Sequence, residues 1–144
     1  GLFWSTGVPL QVSGSWPNRS TFFGQRPDLV CDPARDAPRT PERWFNPSCY
    51  AAPASPYVLG TAPRTLPNLR ADGVHNIDFS LFKTFLLKEG MSAQFRVEVF
   101  NLLNSVQYGI PNTSWNPRDT STFGMVTSAS SSPRQLQFAV KFNF

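Results

Sequence analysis

From Leu136 to Phe144, the end of the chain, every second residue is a large apolar one. From Arg134 the chain reads R-Q-L-Q-F-A-V-K-F-N-F, which places Leu136, Phe138, Val140, Phe142 and Phe144 on one face. Gln135, Gln137, Ala139, Lys141 and Asn143 fall on the other. A period of two is the signature of a strand with one apolar face. Two further stretches share it. In Val74–Leu87, V-H-N-I-D-F-S-L-F-K-T-F-L-L, Ile77, Phe79, Leu81, Phe85 and Leu87 oppose Asn76, Asp78, Ser80 and Thr84. In Met91–Asn104, Ala93, Phe95, Val97 and Val99 alternate with Ser92, Gln94, Arg96 and Glu98. A helix would scatter those four polar side chains around its circumference, whereas a strand lines them up. Gly1–Gly14 reads as part of a fourth strand. The predicted strands are therefore about 2–14, 74–87, 91–104 and 134–144.

Proline sharpens the division. Eleven of the fourteen prolines precede Val74, none lies between Val74 and Gly109, and none follows Pro133. Proline cannot donate to a strand ladder, so the proline-free stretches are where paired strands can sit. Lys88-Glu89-Gly90 joins two of them as a tight hairpin turn, with Gly90 free to take positive φ. The other connections, 15–73 and 105–133, are far longer than the loops of most compact domains. Long loops on one side and short turns on the other are how transmembrane barrels are built. The fold class expected is all-β, with antiparallel strands forming the last part of a transmembrane β-barrel. If the chain ends at the periplasm, Lys88–Gly90 lies there too, and both long loops are extracellular. Apolar positions then face lipid, and Asn76, Asp78, Gln94, Arg96 and Glu98 face the lumen. The alternation breaks at Phe100–Leu103, at the outer rim of such a wall. Lys83 falls by parity on the lipid face, where its cost runs from about 2–4 kcal/mol at the midplane to roughly 0–1 at an interface it can reach by snorkelling.

Composition agrees with strands that meet lipid. Charged residues are 15% of the chain, against roughly 25% in soluble proteins, and aromatics reach 14%. The net charge of +4 is modest and the arginines are scattered, so nothing resembles a nucleic-acid footprint. No stretch has the ~18 apolar residues of a spanning helix, which leaves strands as the means of crossing. Gly1 opens neither a basic segment nor an apolar signal region, and the chain is expected to be the tail of a longer protein.

Candidate chemistry is sparse. Cys31 and Cys49 fit no zinc spacing, and the only histidine, His75, lies far along the chain. Two readings stand for the cysteines: a disulfide closing a loop of about 19 residues, worth roughly 3 kcal/mol in the chain-entropy model, or a pair of free thiols. Arg43, Trp44 and Phe45, in a loop that also holds Arg35, Arg39, Tyr50 and Tyr57, could grip a ligand by stacking and bidentate hydrogen bonds. They could equally form the loop's own small core or sit at the membrane boundary. Asp78, Arg96 and Glu98 have no nucleophile or oriented base beside them, so they read as a solvated polar wall; no enzyme activity, cofactor or metal is expected. Asn18-Arg19-Ser20 and Asn112-Thr113-Ser114 match the glycosylation pattern, a three-residue match common by chance.

Several stretches resemble the C-terminal end of TonB-dependent receptors of the outer membrane, in particular the Oar-like group. They are N-I-D-F-S-L-F-K-T-F at Asn76–Phe85, F-R-V-E-V-F-N-L-L-N at Phe95–Asn104, F-G-M-V at Phe123–Val126, and the closing run to Phe144. S-T-G-V-P-L at Ser5–Leu10, R-P-D-L-V at Arg26–Val30 and W-F-N-P at Trp44–Pro47 are weaker echoes. The resemblance implies a 22-stranded barrel with an N-terminal plug in the outer membrane of a Gram-negative bacterium, energised through TonB, ExbB and ExbD for passage of a ligand. It also implies that Leu136, Phe138, Val140, Phe142 and Phe144 form the signal read by the barrel-assembly machinery. Neither plug nor TonB box is visible here, and the expected partners are outer-membrane lipid, the rest of the barrel and the plug, with no nucleic acid. The rival reading is a secreted, disulfide-bonded all-β sandwich that binds a partner through its loops. It leaves the long loops and the bare aromatic terminus unexplained. Four strands with two open edges should not make a stable monomer in water. Refolded alone in buffer, these 144 residues are expected to give no monodisperse, cooperatively melting species; a sharp melt of a monomer would contradict the barrel reading.

Overall fold

The computed structural model describes residues 1–14, 25–55 and 57–144; Asn18-Arg19-Ser20 lies outside them. Among the described residues, apart from a 3-10 turn at Pro47–Cys49, the regular structure is all β. In chain order the strands are β1 Leu2–Ser5, β2 Pro9–Leu10, β3 Ser13–Gly14, β4 Asp28–Leu29, β5 Tyr50–Ala51 and β6 Leu66–Arg70. There follow β7 Val74–Ile77, β8 Phe79–Lys88, β9 Met91–Phe100, β10 Ser114–Trp115 and β11 Gln135–Asn143. Among the described residues no helix is long and apolar enough to cross a membrane.

Two compact units divide the chain. The first, a wall unit, comprises residues 1–6, 73–107 and 130–144. Its centre is a three-stranded antiparallel sheet in the order β11-β9-β8. β7 runs on into β8 with only Asp78 between them, and pairs instead with β1. The β8–β9 hairpin closes through Glu89-Gly90, because Lys88 stands opposite Met91 and Gly90 takes φ +78°. Directly opposed residues share a face. Phe79, Leu81, Lys83 and Phe85 oppose Val99, Val97, Phe95 and Ala93, which in turn oppose Leu136, Phe138, Val140 and Phe142. That face is continuous and apolar except for Lys83, and it is uncovered: Leu136, Phe138, Val140 and Phe142 are all exposed, and Phe144 is 93% exposed. Phe95 stacks on its diagonal neighbour Phe138 at 6.5 Å. A sheet in water would have to bury such a face; a wall in lipid leaves it bare.

The second, a loop unit, comprises residues 7–72 and 108–129. It holds the core that the wall lacks. Leu10, Val12, Trp44, Phe45, Cys49, Tyr50, Leu69, Trp115, Phe123 and Val126 are buried together. Phe45, Tyr50 and Phe123 meet edge to face with centroids 5.0–5.9 Å apart, a geometry worth roughly 0.5–1.5 kcal/mol per pair beyond area. Short strand pairs frame this core: β2 with β6, β3 with β10, β4 with β5. A disulfide joins Cys31 to Cys49, with the Cα atoms 4.8 Å apart.

These facts revise several expected boundaries. The strand expected at 2–14 ends at Ser5, and β2 and β3 belong to the loop unit. Gly7 is the reason for the departure: it lies so close to the Ala71 backbone that a Cβ there would overlap the carbonyl oxygen. Its own carbonyl accepts Arg70 Nε at 2.7 Å. The span expected at 91–104 stops at Phe100, since Asn101 and Asn104 adopt φ of 51° and 52°, outside strand geometry. The long loop expected at 15–73 contains β4, β5 and β6. Proline-free stretches could not reveal β2 or β6, which carry Pro9 and Pro67 at the edge of a two-stranded pair, where a missing donor is tolerated.

Tyr50 offers a test of the loop core. Its hydroxyl is buried and has no hydrogen-bond partner among the described residues, and burial, with the Asp32 carboxylate second, pushes the phenol up from its usual value. Above about pH 10 the unfolded chain releases this proton while the folded chain keeps it, so stability must fall as pH rises. Tyr50→Phe is expected to raise stability by about 1 kcal/mol at neutral pH, by removing an unsatisfied group, and to flatten the alkaline loss. Urea melts of the full-length protein, followed by near-ultraviolet circular dichroism on either side of that pH, check both effects.

Candidate functional site: the polar face and its rim

Opposite the apolar face of the wall runs a polar one. Ser80, Phe82, Thr84 and Leu86 oppose Glu98, Arg96, Gln94 and Ser92, which are matched by Gln137, Ala139, Lys141 and Asn143. Gln94 Nε2 donates to Thr84 Oγ1 at 3.3 Å, and Asn143 Nδ2 to Ser92 Oγ at 3.2 Å. Arg96 and Glu98, two residues apart on one strand, lie 3.8 Å apart and are partly exposed, a geometry worth at most about 1 kcal/mol. The expected lumen residues Gln94, Arg96 and Glu98 thus share one face. Phe82 and Leu86 share it too, which their apolar character did not suggest; only their even numbering, in phase with Ser80 and Thr84, pointed there.

Asn76 and Asp78 continue this face to its rim. Together with Phe3, Phe100, Asn101 and Gln135 they line a cavity of about 310 Å³. Asn76 Nδ2 donates to both Asp78 carboxylate oxygens, at 3.0 and 3.1 Å. The backbone N–H of Asn101 also donates to Asp78, at 3.0 Å. The Asp78 carboxylate thus accepts three hydrogen bonds from two residues. Asn101 is the hub. Buried and left-handed, it donates through Nδ2 to the carbonyls of Ser105 (3.1 Å) and Ser132 (2.9 Å), and its Oδ1 accepts Ser105 N–H at 2.9 Å. Asparagine tolerates this backbone region better than other non-glycine residues because its short amide can bond locally. Asn104 follows suit, its Oδ1 accepting the N–H of Arg134, the residue before β11. Gln107, also buried, donates to the carbonyl of His75 at 2.8 Å and accepts Ser130 N–H on its own carbonyl. The rim is therefore a polar knot that ties β7, the end of β9 and the approach to β11.

Sequence reasoning missed Asn101, Asn104 and Gln107. The signal was present in F-N-L-L-N, where two asparagines three residues apart interrupt a strand.

The candidate ligand-contact residues separate. Trp44 and Phe45 are 3% and 0% exposed, and Trp44 Nε1 donates to the Arg70 carbonyl at 2.8 Å. Both rings are spent on the loop core and offer no face to a ligand, a correction explained by their packing against Tyr108 and against Tyr50 and Phe123. Arg43 is exposed, with Nη2 donating to Asn46 Oδ1 at 3.2 Å. Tyr57 is also exposed. In the same unit, the hydroxyl and amide of Ser121 hold the Asp119 carboxyl below its usual range. Among the described residues no three His, Cys, Asp or Glu side chains come together to hold a metal ion.

A two-faced antiparallel wall, bare and apolar on one side and polar on the other, defines a membrane barrel segment. Comparison with known families agrees: residues 2–137 match the outer membrane beta barrel domain. The chain belongs to that family, and its place is the outer membrane. No curated protein and no solved structure matches the chain.

The rim knot makes a graded prediction. Asn101→Ala loses three side-chain hydrogen bonds and strains a positive φ, and should destabilise the wall by about 2–4 kcal/mol. Asn101→Gly relieves the strain and should cost visibly less. Urea unfolding of the assembled barrel, read by the heat-modified mobility shift, ranks the two.

Proposed function

We propose that this chain is the closing segment of the barrel of a TonB-dependent transporter, which passes a ligand across the outer membrane at the expense of energy delivered by TonB, ExbB and ExbD. The observation that carries the reading is the wall unit itself. It is polar on one face and bare on the other, and its strands hold the stretches Asn76–Phe85, Phe95–Asn104 and Arg134–Phe144 that resemble the end of such receptors. In this reading Asn76, Asp78, Gln94, Arg96 and Glu98 face the lumen and the plug, and no chemistry is performed on the ligand. Leu136, Phe138, Val140, Phe142 and Phe144 face lipid and serve the barrel-assembly machinery as its signal. The Glu89-Gly90 turn lies in the periplasm, and the long loops lie outside.

A secreted sandwich is not favoured. Its sheets would cover each other's apolar faces, yet here that face is exposed along all of β11.

Two measurements on the full-length protein test the proposal. Outer-membrane vesicles containing it should bind the purified periplasmic domain of TonB, and should lose that binding when the N-terminal region is removed. Absence of binding by the intact protein would refute the transport reading while leaving the barrel. For the orientation, a Glu89→Cys variant should react with a membrane-impermeant maleimide only after the outer membrane is permeabilised; reaction on intact cells would invert the topology.

A further inference from the structure

The rim cavity of the wall unit holds one charged side chain, and that charge has no counter-charge. Asp78 lines the cavity half-buried. The ion pairs among the described residues, Arg35 with Asp36 and Arg96 with Glu98, leave its carboxylate without a cation. No lysine, arginine or histidine lines the cavity either. A charge drawn partly out of water is ordinarily paired, so this one calls for a cation from outside the wall unit. The carboxylate is also held ready for it. Asn76 and Asn101 fix its position, and Asn101 is itself anchored on the carbonyls of Ser105 and Ser132. A group fixed in advance loses little freedom on binding.

Geometry selects among cations. An ionised carboxylate offers about four acceptor positions. Asn76 Nδ2 bridges both oxygens, at 3.0 and 3.1 Å, and the Asn101 N–H takes a second position on Oδ1 at 3.0 Å. A guanidinium reads a carboxylate by laying two parallel N–H groups across both oxygens, and Asn76 already fills that fork. One position on Oδ2 remains, which suits a single N–H of a point charge such as an ammonium. The rest of the lining suits the body of such a ligand. Phe3, opposite Asn76, and Phe100, opposite Gln135, are 59% and 40% exposed. Aromatic rings beside a cation add attraction, and Val74 and Pro133 supply apolar surface for an alkyl stem. We propose that this cavity binds an organic ligand through a primary alkylammonium group, with Asp78 Oδ2 as its acceptor. As the class of ligand that the transporter carries, it rests on the transport reading; the binding itself does not.

Isothermal titration calorimetry on the full-length protein in detergent tests the site, with n-butylammonium as the probe. Butylammonium should bind, n-butylguanidinium should bind about tenfold more weakly, and n-butanol should give no heat of binding. Asp78→Asn keeps an acceptor for the Asn101 N–H but removes the charge, and should weaken butylammonium about tenfold or more. Should that variant fail to assemble, Gln135→Lys leaves Asp78 and its hydrogen bonds in place. It sets an ammonium in the cavity lining, and should abolish binding by filling the site itself. Thr84→Lys adds the same charge farther along the same face and should leave binding unchanged. No binding by the wild type, equal affinity for ammonium and guanidinium, or equal loss with Thr84→Lys would overturn the proposal. Binding that emerges only once the N-terminal region is removed would overturn it too, because a segment of the chain would then be the occupant. Binding that Asp78→Asn or Gln135→Lys abolishes, in a protein that fails to capture TonB, would uphold the site and refute transport alone.

Discussion

In hydrocarbon a strand finds hydrogen-bond partners only in neighbouring strands, and every other property of the wall unit follows from that restriction. The ladder from β8 through β9 to β11 runs almost without interruption, nine opposed pairs between β9 and β11 alone. Because the ladder fixes register, it also fixes which side chains meet lipid and which meet the lumen. A shift of β11 by one residue would turn Phe138, Val140 and Phe142 to the polar face and set Gln137 and Lys141 on the apolar one. No packed core is needed to hold this sheet, since the solvent on one side is itself apolar. Where the ladder ends, backbone groups need other partners, and the rim supplies them from side chains: Asp78 and Asn101 do at the end of the sheet what neighbouring backbone does along it.

The loop unit obeys the opposite rule. Its segments carry little regular structure, so they are organised by what soluble proteins use: a hydrophobic cluster, an aromatic trio, a disulfide and close backbone approaches such as Gly7 against Ala71. The two halves of one chain thus solve their solvation problems in inverse ways, one by exposing apolar side chains and the other by burying them.

That contrast governs how much could be read from sequence. The two faces of β9 were legible, because a period of two survives in the order of Gln94, Arg96 and Glu98 against Phe95, Val97 and Val99; Phe82 and Leu86 on the polar face were not. Lys83 also stood where parity put it, opposite Phe95. The loop core was not legible, because Leu10, Phe45, Tyr50 and Phe123 come together without any period; their aromatic character suggested ligand contact as readily as packing. The early end of the first strand was hidden for a related reason. Gly7 is constrained by Ala71, a residue far along the chain, and no local pattern reports a distant neighbour. The rim asparagines fell between these cases: their spacing was visible, but its meaning depended on partners in three separate segments.

The loop core also has an implication for the order of events during export. Leu10 and Val126 share one cluster although they come from near opposite ends of the chain. The β8–β9 hairpin, by contrast, needs only twenty-two consecutive residues, and can pair as soon as they emerge. Contacts that span so much sequence form late and slowly. The aromatic residues of the loop unit, Trp44, Phe45 and Tyr50 among them, must therefore remain uncovered until Phe123 and its neighbours arrive. Over that interval they are a bare apolar stretch of polypeptide, open to contacts that the finished fold denies them.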